Sequence, residues 1–93
     1  MKNDNDDRHR ILPALCAKPP TEIVGFGVVK IASYTNSRGL VNGLKFYLEG
    51  NTRWLLIRIS ETEPIVRIYA EGESPDEVKE ILNTGKTLIN DDR

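Results

Sequence analysis

Three stretches in the second half of the chain alternate apolar and polar residues with a period of two, and only a few residues separate each from the next. Leu44, Phe46 and Leu48 alternate with Lys45, Tyr47 and Glu49; Leu55, Ile57 and Ile59 with Trp54, Leu56 and Arg58; Val66, Ile68 and Ala70 with Ile65, Arg67, Tyr69 and Glu71. A period of two puts successive side chains on opposite faces, so each run describes a strand with one buried and one wetted face. Connections as short as Glu49-Gly50-Asn51-Thr52-Arg53 join antiparallel neighbours, because a parallel crossover needs a dozen residues or more. Val24 to Tyr34 is a fourth candidate, with Gly25 and Gly27 marking a bend or bulge near its start and Thr35 to Gly39 forming a turn.

The period then changes. Ser74 followed by Pro75, Asp76 and Glu77 has the form of a capping box, with proline at the first helical position and carboxylates at the positive end of the helix dipole. Val78, Ile81, Leu82, Leu88 and Ile89 fall on one stripe at helical spacing, with Gly85 on the same face. A glycine in mid-helix costs about 1 kcal/mol against alanine, which points to a close approach to the sheet or a break in the last turn. An antiparallel sheet of about four strands with a C-terminal helix packed on one face is an α+β two-layer domain. No internal repeat is present.

The first 22 residues read differently. Residues 1 to 10 are mostly charged, without apolar periodicity, and describe a solvated tail. Ile11, Leu12, Leu15 and Cys16 have helical spacing, but Pro13 interrupts them and Pro19-Pro20 ends them, so a short helix or packed arm is the most they predict. We therefore divide the chain into a flexible or loosely packed arm, 1–22, and a domain, 23–93. With 93 residues there is room for one core and none for a cleft between domains. A formal net charge of −1 argues against nucleic acid and anionic membranes as partners, since both recruit proteins through a long-range positive field. One cysteine and one histidine, His9, exclude an internal disulfide and a Cys/His zinc cage. Asp4, Asp6 and Asp7 lack the glycine turn and distal carboxylate of a calcium loop. No stretch is long and apolar enough for a signal peptide or a membrane span, and the expected location is cytoplasmic.

One segment concentrates chemistry: Arg58-Ile59-Ser60-Glu61-Thr62-Glu63-Pro64, a strand end and a turn. A phosphate needs donors from several directions. A guanidinium fork, two hydroxyls and the backbone N–H groups of a tight turn can supply them. On spacing alone an ordinary hairpin is the commoner reading, since Ser, Thr and Glu before a proline are frequent in turns. Trp54 and Tyr69 read as packing aromatics rather than sugar-stacking ones, and Cys16 as inert.

The string from Asn42-Gly43-Leu44-Lys45-Phe46-Tyr47 through Trp54 to Glu71, then Ser74-Pro75-Asp76-Glu77, resembles the C-terminal domain of the α-D-phosphohexomutases, the phosphoglucomutase/phosphomannomutase family. The resemblance covers residues 42 to 89. It implies a TATA-binding-protein-like fold and a role in carbohydrate metabolism: holding the phosphate of a hexose phosphate while the complete enzyme, an isomerase acting by phosphoryl transfer, moves a phosphoryl group. The positions it marks as phosphate-binding are Arg58, Ser60, Glu61 through its backbone, and Thr62. Glu63 and Arg67 match the string and take a supporting role.

Two positions depart from the family. Glu61 stands where glycine or asparagine is usual, so its carboxylate must point away from a bound anion: at about 4 Å and an effective dielectric near 20, repulsion is on the order of 4 kcal/mol per unit charge. Asn42 stands where aspartate is common. The phosphoserine and the metal loop that the family's reaction requires are not in this chain, so it is expected to have no catalytic residue and no cofactor of its own. Magnesium is expected in the complete enzyme, whose other domains in cis are the implied partners. The alternative is a diverged stand-alone domain that keeps the fold, has lost phosphate binding and serves protein interaction.

Overall fold

The computed structural model describes residues 4–50, 52–60 and 65–90. Helix α1 (Asp4–Ala17) is followed by strands β1 (Glu22–Ile23), β2 (Phe26–Thr35), β3 (Val41–Leu48), β4 (Trp54–Ile59) and β5 (Val66–Glu71), and by helix α2 (Pro75–Asn90). The strands form one five-stranded sheet in sequence order, and every neighbouring pair is antiparallel. This is the α+β two-layer architecture that the alternation predicts, with one extra strand.

That extra strand comes from a hairpin at the start of the expected first strand. Glu22 pairs with Gly27 and Ile23 with Phe26, and the two residues between them, Val24 and Gly25, have φ of 53° and 80°. Positive φ at both central positions is the geometry of a tight hairpin turn whose twist matches its strands. Gly25 adopts it without penalty. The β-branched Val24 does not, at about 1–2 kcal/mol, and is retained with its side chain half-buried against the core.

The core is the predicted face of the sheet. Leu44, Phe46, Leu48, Leu55, Ile57 and Ile59 are buried, and Val66, Ile68 and Ala70 continue the surface across β5. Both helices cover this face, α1 beneath β3 and α2 beneath β4 and β5. Ile81 of α2 is fully buried. An ideal Cβ on Gly85 would lie 3.0 Å from both Ile68 Cγ2 and Leu55 Cδ1, so the helix sits as close to the strands as a bare backbone allows.

Helix α1 is longer than the expected short segment and runs through Pro13. An internal proline costs about 3 kcal/mol. Burying Ile11 and Leu12, the latter with no exposed surface, contributes about 1.5–3 kcal/mol each and offsets it. Tertiary packing overrides the local breaker.

Ser74 caps α2 as expected, its Oγ accepting from Glu77 N–H at 3.2 Å. The Glu77 carboxylate does not close the box on residue 74. It accepts from the Glu73 N–H at 2.7 Å and receives Arg53, whose Nε and Nη2 donate at 2.8 and 3.1 Å. The same guanidinium lies 4.1 Å from the Phe26 ring centroid. One arginine thus joins the start of β2, the β3–β4 turn and the helix N-terminus. The hydrogen bond from Arg53 holds the Glu77 carboxyl below its ordinary range, and the same bond raises Arg53 further above neutral pH.

Candidate functional site

With both helices on one face, the other face of the sheet is open, and strand register arranges it in rows. Tyr34, Gly43, Arg58 and Arg67 lie side by side on β2 to β5; Ala32, Lys45, Leu56 and Tyr69 form the next row; Lys30, Tyr47, Trp54 and Glu71 the third. Strands stand about 4.8 Å apart and rows about 7 Å. These positions carry four cations and one carboxylate, a formal +3, which leaves −4 on the rest of a chain whose total is −1. The near-neutral composition therefore conceals a positive face.

The third row and Lys45 of the second engage one another. Lys45 Nζ lies 4.4 Å from the Trp54 ring centroid and 4.9 Å from that of Tyr47, while Lys30 Nζ lies 5.4 Å from Tyr47. Trp54 Nε1 donates to Glu71 Oε1 at 2.7 Å. The structural role expected of Trp54 is what its contacts describe.

The first row is different. Arg58 and Arg67 are register partners on adjacent strands, a juxtaposition of like charges that destabilises a sheet unless something offsets it. Among the described residues no hydrogen bond or ion pair engages the Arg58 guanidinium, and the residue is exposed. A depression of about 240 Å³ opens beside it, lined by Arg58, Ile59, Ser60, Arg67 and Tyr69. A second, of about 460 Å³, lies on its other side and is lined by Tyr34, Thr35, Asn42, Leu56 and Arg58.

Of the four residues marked by the sequence, Arg58 and Ser60 share the first depression; Glu61 and Thr62 lie outside the described residues, as does Glu63. The flanks of their loop are defined: Ser60 N–H donates to Ile65 O at 3.2 Å, closing the β4–β5 hairpin. That amide is committed to the hairpin. Arg67 and Tyr69 complete the lining, and sequence reasoning gave both too little weight. The signal was available, because in a hairpin closed between Ser60 and Ile65 residues 58 and 67 must face each other.

Chemically, two guanidiniums and a hydroxyl around a shallow hollow are hydrogen-bond donors of the kind an anion accepts from. Among the described residues no three metal-ligating side chains cluster. No helix of the described residues is long and apolar enough to cross a membrane.

The family model for the phosphoglucomutase/phosphomannomutase C-terminal domain matches residues 10–84, and the chain belongs to that family. A phosphoglucomutase/phosphomannomutase of Thermococcus kodakarensis is 33% identical over 66 residues, covering 67% of this chain and 14% of the relative. A phosphoglucosamine mutase of Cellvibrio japonicus is 33% identical over 83 residues, 87% of this chain and 18% of the relative. Another phosphoglucosamine mutase, from Methanocaldococcus jannaschii, is 41% identical over 49 residues, 53% and 10% respectively. The chain thus spans less than a fifth of the length of these curated relatives.

Proposed function

We propose that this domain holds the phosphate of a hexose phosphate, with Arg58 as the principal charge, Ser60 and Thr62 as hydroxyl donors, the backbone at Glu61 as a further donor and Arg67 as a second cation. The observation that carries this reading is the side-by-side placement of Arg58 and Arg67 at the rim of a hollow that also includes Ser60. A dianion between two guanidiniums relieves their mutual repulsion and accepts a planar fork of donors from each. In a complete mutase the domain closes over the phosphosugar and neutralises phosphate charge, while the phosphoserine, the magnesium site and the reading of the sugar belong to the other domains. Positioning and neutralisation are what phosphoryl transfer needs from such a part.

By itself the domain binds weakly. The site is exposed and screened, each ion pair contributes about 1 kcal/mol or less, and a millimolar dissociation constant is the expected order. Titrating the 93-residue chain with inorganic phosphate should move the amide resonances of Arg58, Ser60 and Arg67 before any others. Arg58→Ala should weaken binding about threefold to tenfold, with Arg58→Lys intermediate because the fork is lost and the charge kept. Binding unaffected by either change, or shifts confined to other parts of the chain, would leave the interaction-domain alternative in its place.

A further inference from the structure

We infer that the outer edge of β2 pairs with the same edge of a second copy of this chain, antiparallel and about a two-fold axis at Ala32, so that the two sheets become one. The inference concerns a different part of the molecule from the phosphate hollow and does not depend on it.

Hydrogen-bond parity locates the free edge. Leu48 N–H donates to Arg53 O on the β4 side, and Glu49 N–H donates to Gly27 O on the β2 side. Backbone groups alternate in direction along a strand, so Tyr47, Lys45 and Gly43 bond toward β2 while Phe46 and Leu44 bond toward β4. Ile31 and Ser33, the register partners of Phe46 and Leu44, therefore turn their N–H and C=O groups away from β3. Val28, opposite Leu48, does the same and donates to Thr21 O at 2.9 Å. Strand β1 pairs only with Phe26 and Gly27, and among the described residues nothing takes up the outward groups of Ile31 and Ser33.

The side chains there lack a neighbour too. Ile31 lies on the core side yet is 37% exposed, whereas Phe46 beside it has no exposed surface; Val29 and Tyr34 are exposed as well. An unpaired edge with apolar side chains is a template for another strand unless charges, proline or irregularity protect it. The irregularities of β2 fall between Val28 and Lys30 and between Tyr34 and Thr35, and they bracket a regular run, Lys30 to Tyr34, whose only charge is Lys30. The opposite edge, β5, carries Arg67 and Glu71.

The regular run is complementary to itself. Ala32 is its midpoint, and an axis there is the one register in which every residue of the run finds a partner in the other copy. Ile31 of each copy then exchanges both backbone hydrogen bonds with Ser33 of the other. Ala32 faces its own equivalent in the closer, non-hydrogen-bonded kind of pair, about 4.5 Å between Cα atoms, a spacing that suits a methyl side chain. On the open face Lys30 stands opposite Tyr34 of the other copy, so an ammonium that already lies 5.4 Å from the Tyr47 ring centroid gains a second aromatic face, and no like charges oppose each other. On the core side the two Ile31 residues meet diagonally, about 7–8 Å apart, and cover each other's exposed surface. So short a contact belongs at the small end of specific interfaces, below about 1,200 Å², and fits a reversible dimer. The Arg58 and Arg67 hollow lies on the far side of the sheet and stays open in the pair.

Sedimentation equilibrium of the 93-residue chain tests the pairing. Between about 10 μM and about 1 mM the mass should rise from that of one chain toward that of two, with a dissociation constant on the order of 100 μM. Over the same range the amides of Ile31 and Ser33 should become protected from hydrogen exchange, while that of Ala32, bonded to β3, stays as it was. Ser33→Pro removes an outward donor without touching the bonds to β3. Ala32→Glu sets two carboxylates face to face at the axis and gives each Lys45 of its own chain as a register neighbour. Each should weaken association about tenfold or more with the far-ultraviolet circular dichroism spectrum retained, and if the proline variant loses that spectrum the glutamate variant decides. A chain that stays monomeric at about 1 mM would overturn the pairing and leave the edge to a strand of another protein. A dimer that neither variant weakens, or one whose new protection falls on β5, would overturn it as well.

Discussion

Gly85→Val tests whether the underside of the sheet positions the arginine pair. An added Cβ at 85 would already lie 3.0 Å from the terminal methyls of Ile68 and Leu55, against the 3.5–4.0 Å at which carbon atoms pack best. Alanine recovers about 1 kcal/mol of helix propensity and loses a similar amount to crowding, so Gly85→Ala should change stability by no more than about 1 kcal/mol. Valine carries two further methyl groups into a space with no outlet, since Leu55 is fully buried and Ile68 is held in the strand beside it. Overpacking of this kind costs about 1–3 kcal/mol, and with the Cβ alone filling the gap a net loss of about 2 kcal/mol is expected. For a chain of this length that is a fall in Tm of about 8–16 °C. Thermal unfolding followed by far-ultraviolet circular dichroism measures it. The amides of Arg58 and Arg67 should shift as well, because the helix bears on the reverse face of their strands. A valine variant as stable as the parent would refute the close approach of α2 and the reasoning built on it.

Other expectations follow from the same contacts. Leu12→Ala should cost about 2–5 kcal/mol in urea unfolding, as for any large-to-small change at a fully buried site; a loss below about 1 kcal/mol would mean that α1 is not part of the core. Glu77→Gln should lower the melting temperature at neutral pH and lose that effect on acidification. The Glu77 carboxyl is held below its ordinary value in the folded state, so its stabilisation is complete above the unfolded-state value and fades as pH falls through the folded-state one, whereas Arg53 stays charged throughout. Melting curves of parent and variant that remain parallel down to about pH 2 would contradict this. Glu61→Gly should raise phosphate affinity about twofold to fivefold by removing a negative charge from the loop, and a fall instead would show that the carboxylate helps to build the site.

How much of this could be read from the residues alone depended on range. The three alternating runs and the capped apolar stripe are local patterns, and they yielded β3, β4, β5, α2, the buried face and even the crowded glycine at 85. Helix α1 was harder, because Pro13 argues against it locally and the case for it lies in a sheet far along the chain. The turn at Val24-Gly25 was hidden for a related reason: valine is a poor residue at positive φ, and its contacts with the core outweigh the cost. At the site, Arg58 and Ser60 were found by type and spacing. Arg67 needed the hairpin register before its place opposite Arg58 emerged, and Tyr34 arrives from two strands away across Gly43. The tie between Arg53 and Glu77 left no trace in sequence, since one partner looks like a turn residue and the other like half of a local cap.

The +3 carried by the three rows, in a chain whose total is −1, gives the domain a positive side. A dianion approaching from any direction exerts a torque that swings the arginines toward it, so orientation precedes contact. At physiological ionic strength this reach is limited to about 8 Å, which confines the steering to the final approach and makes it fade as salt is added.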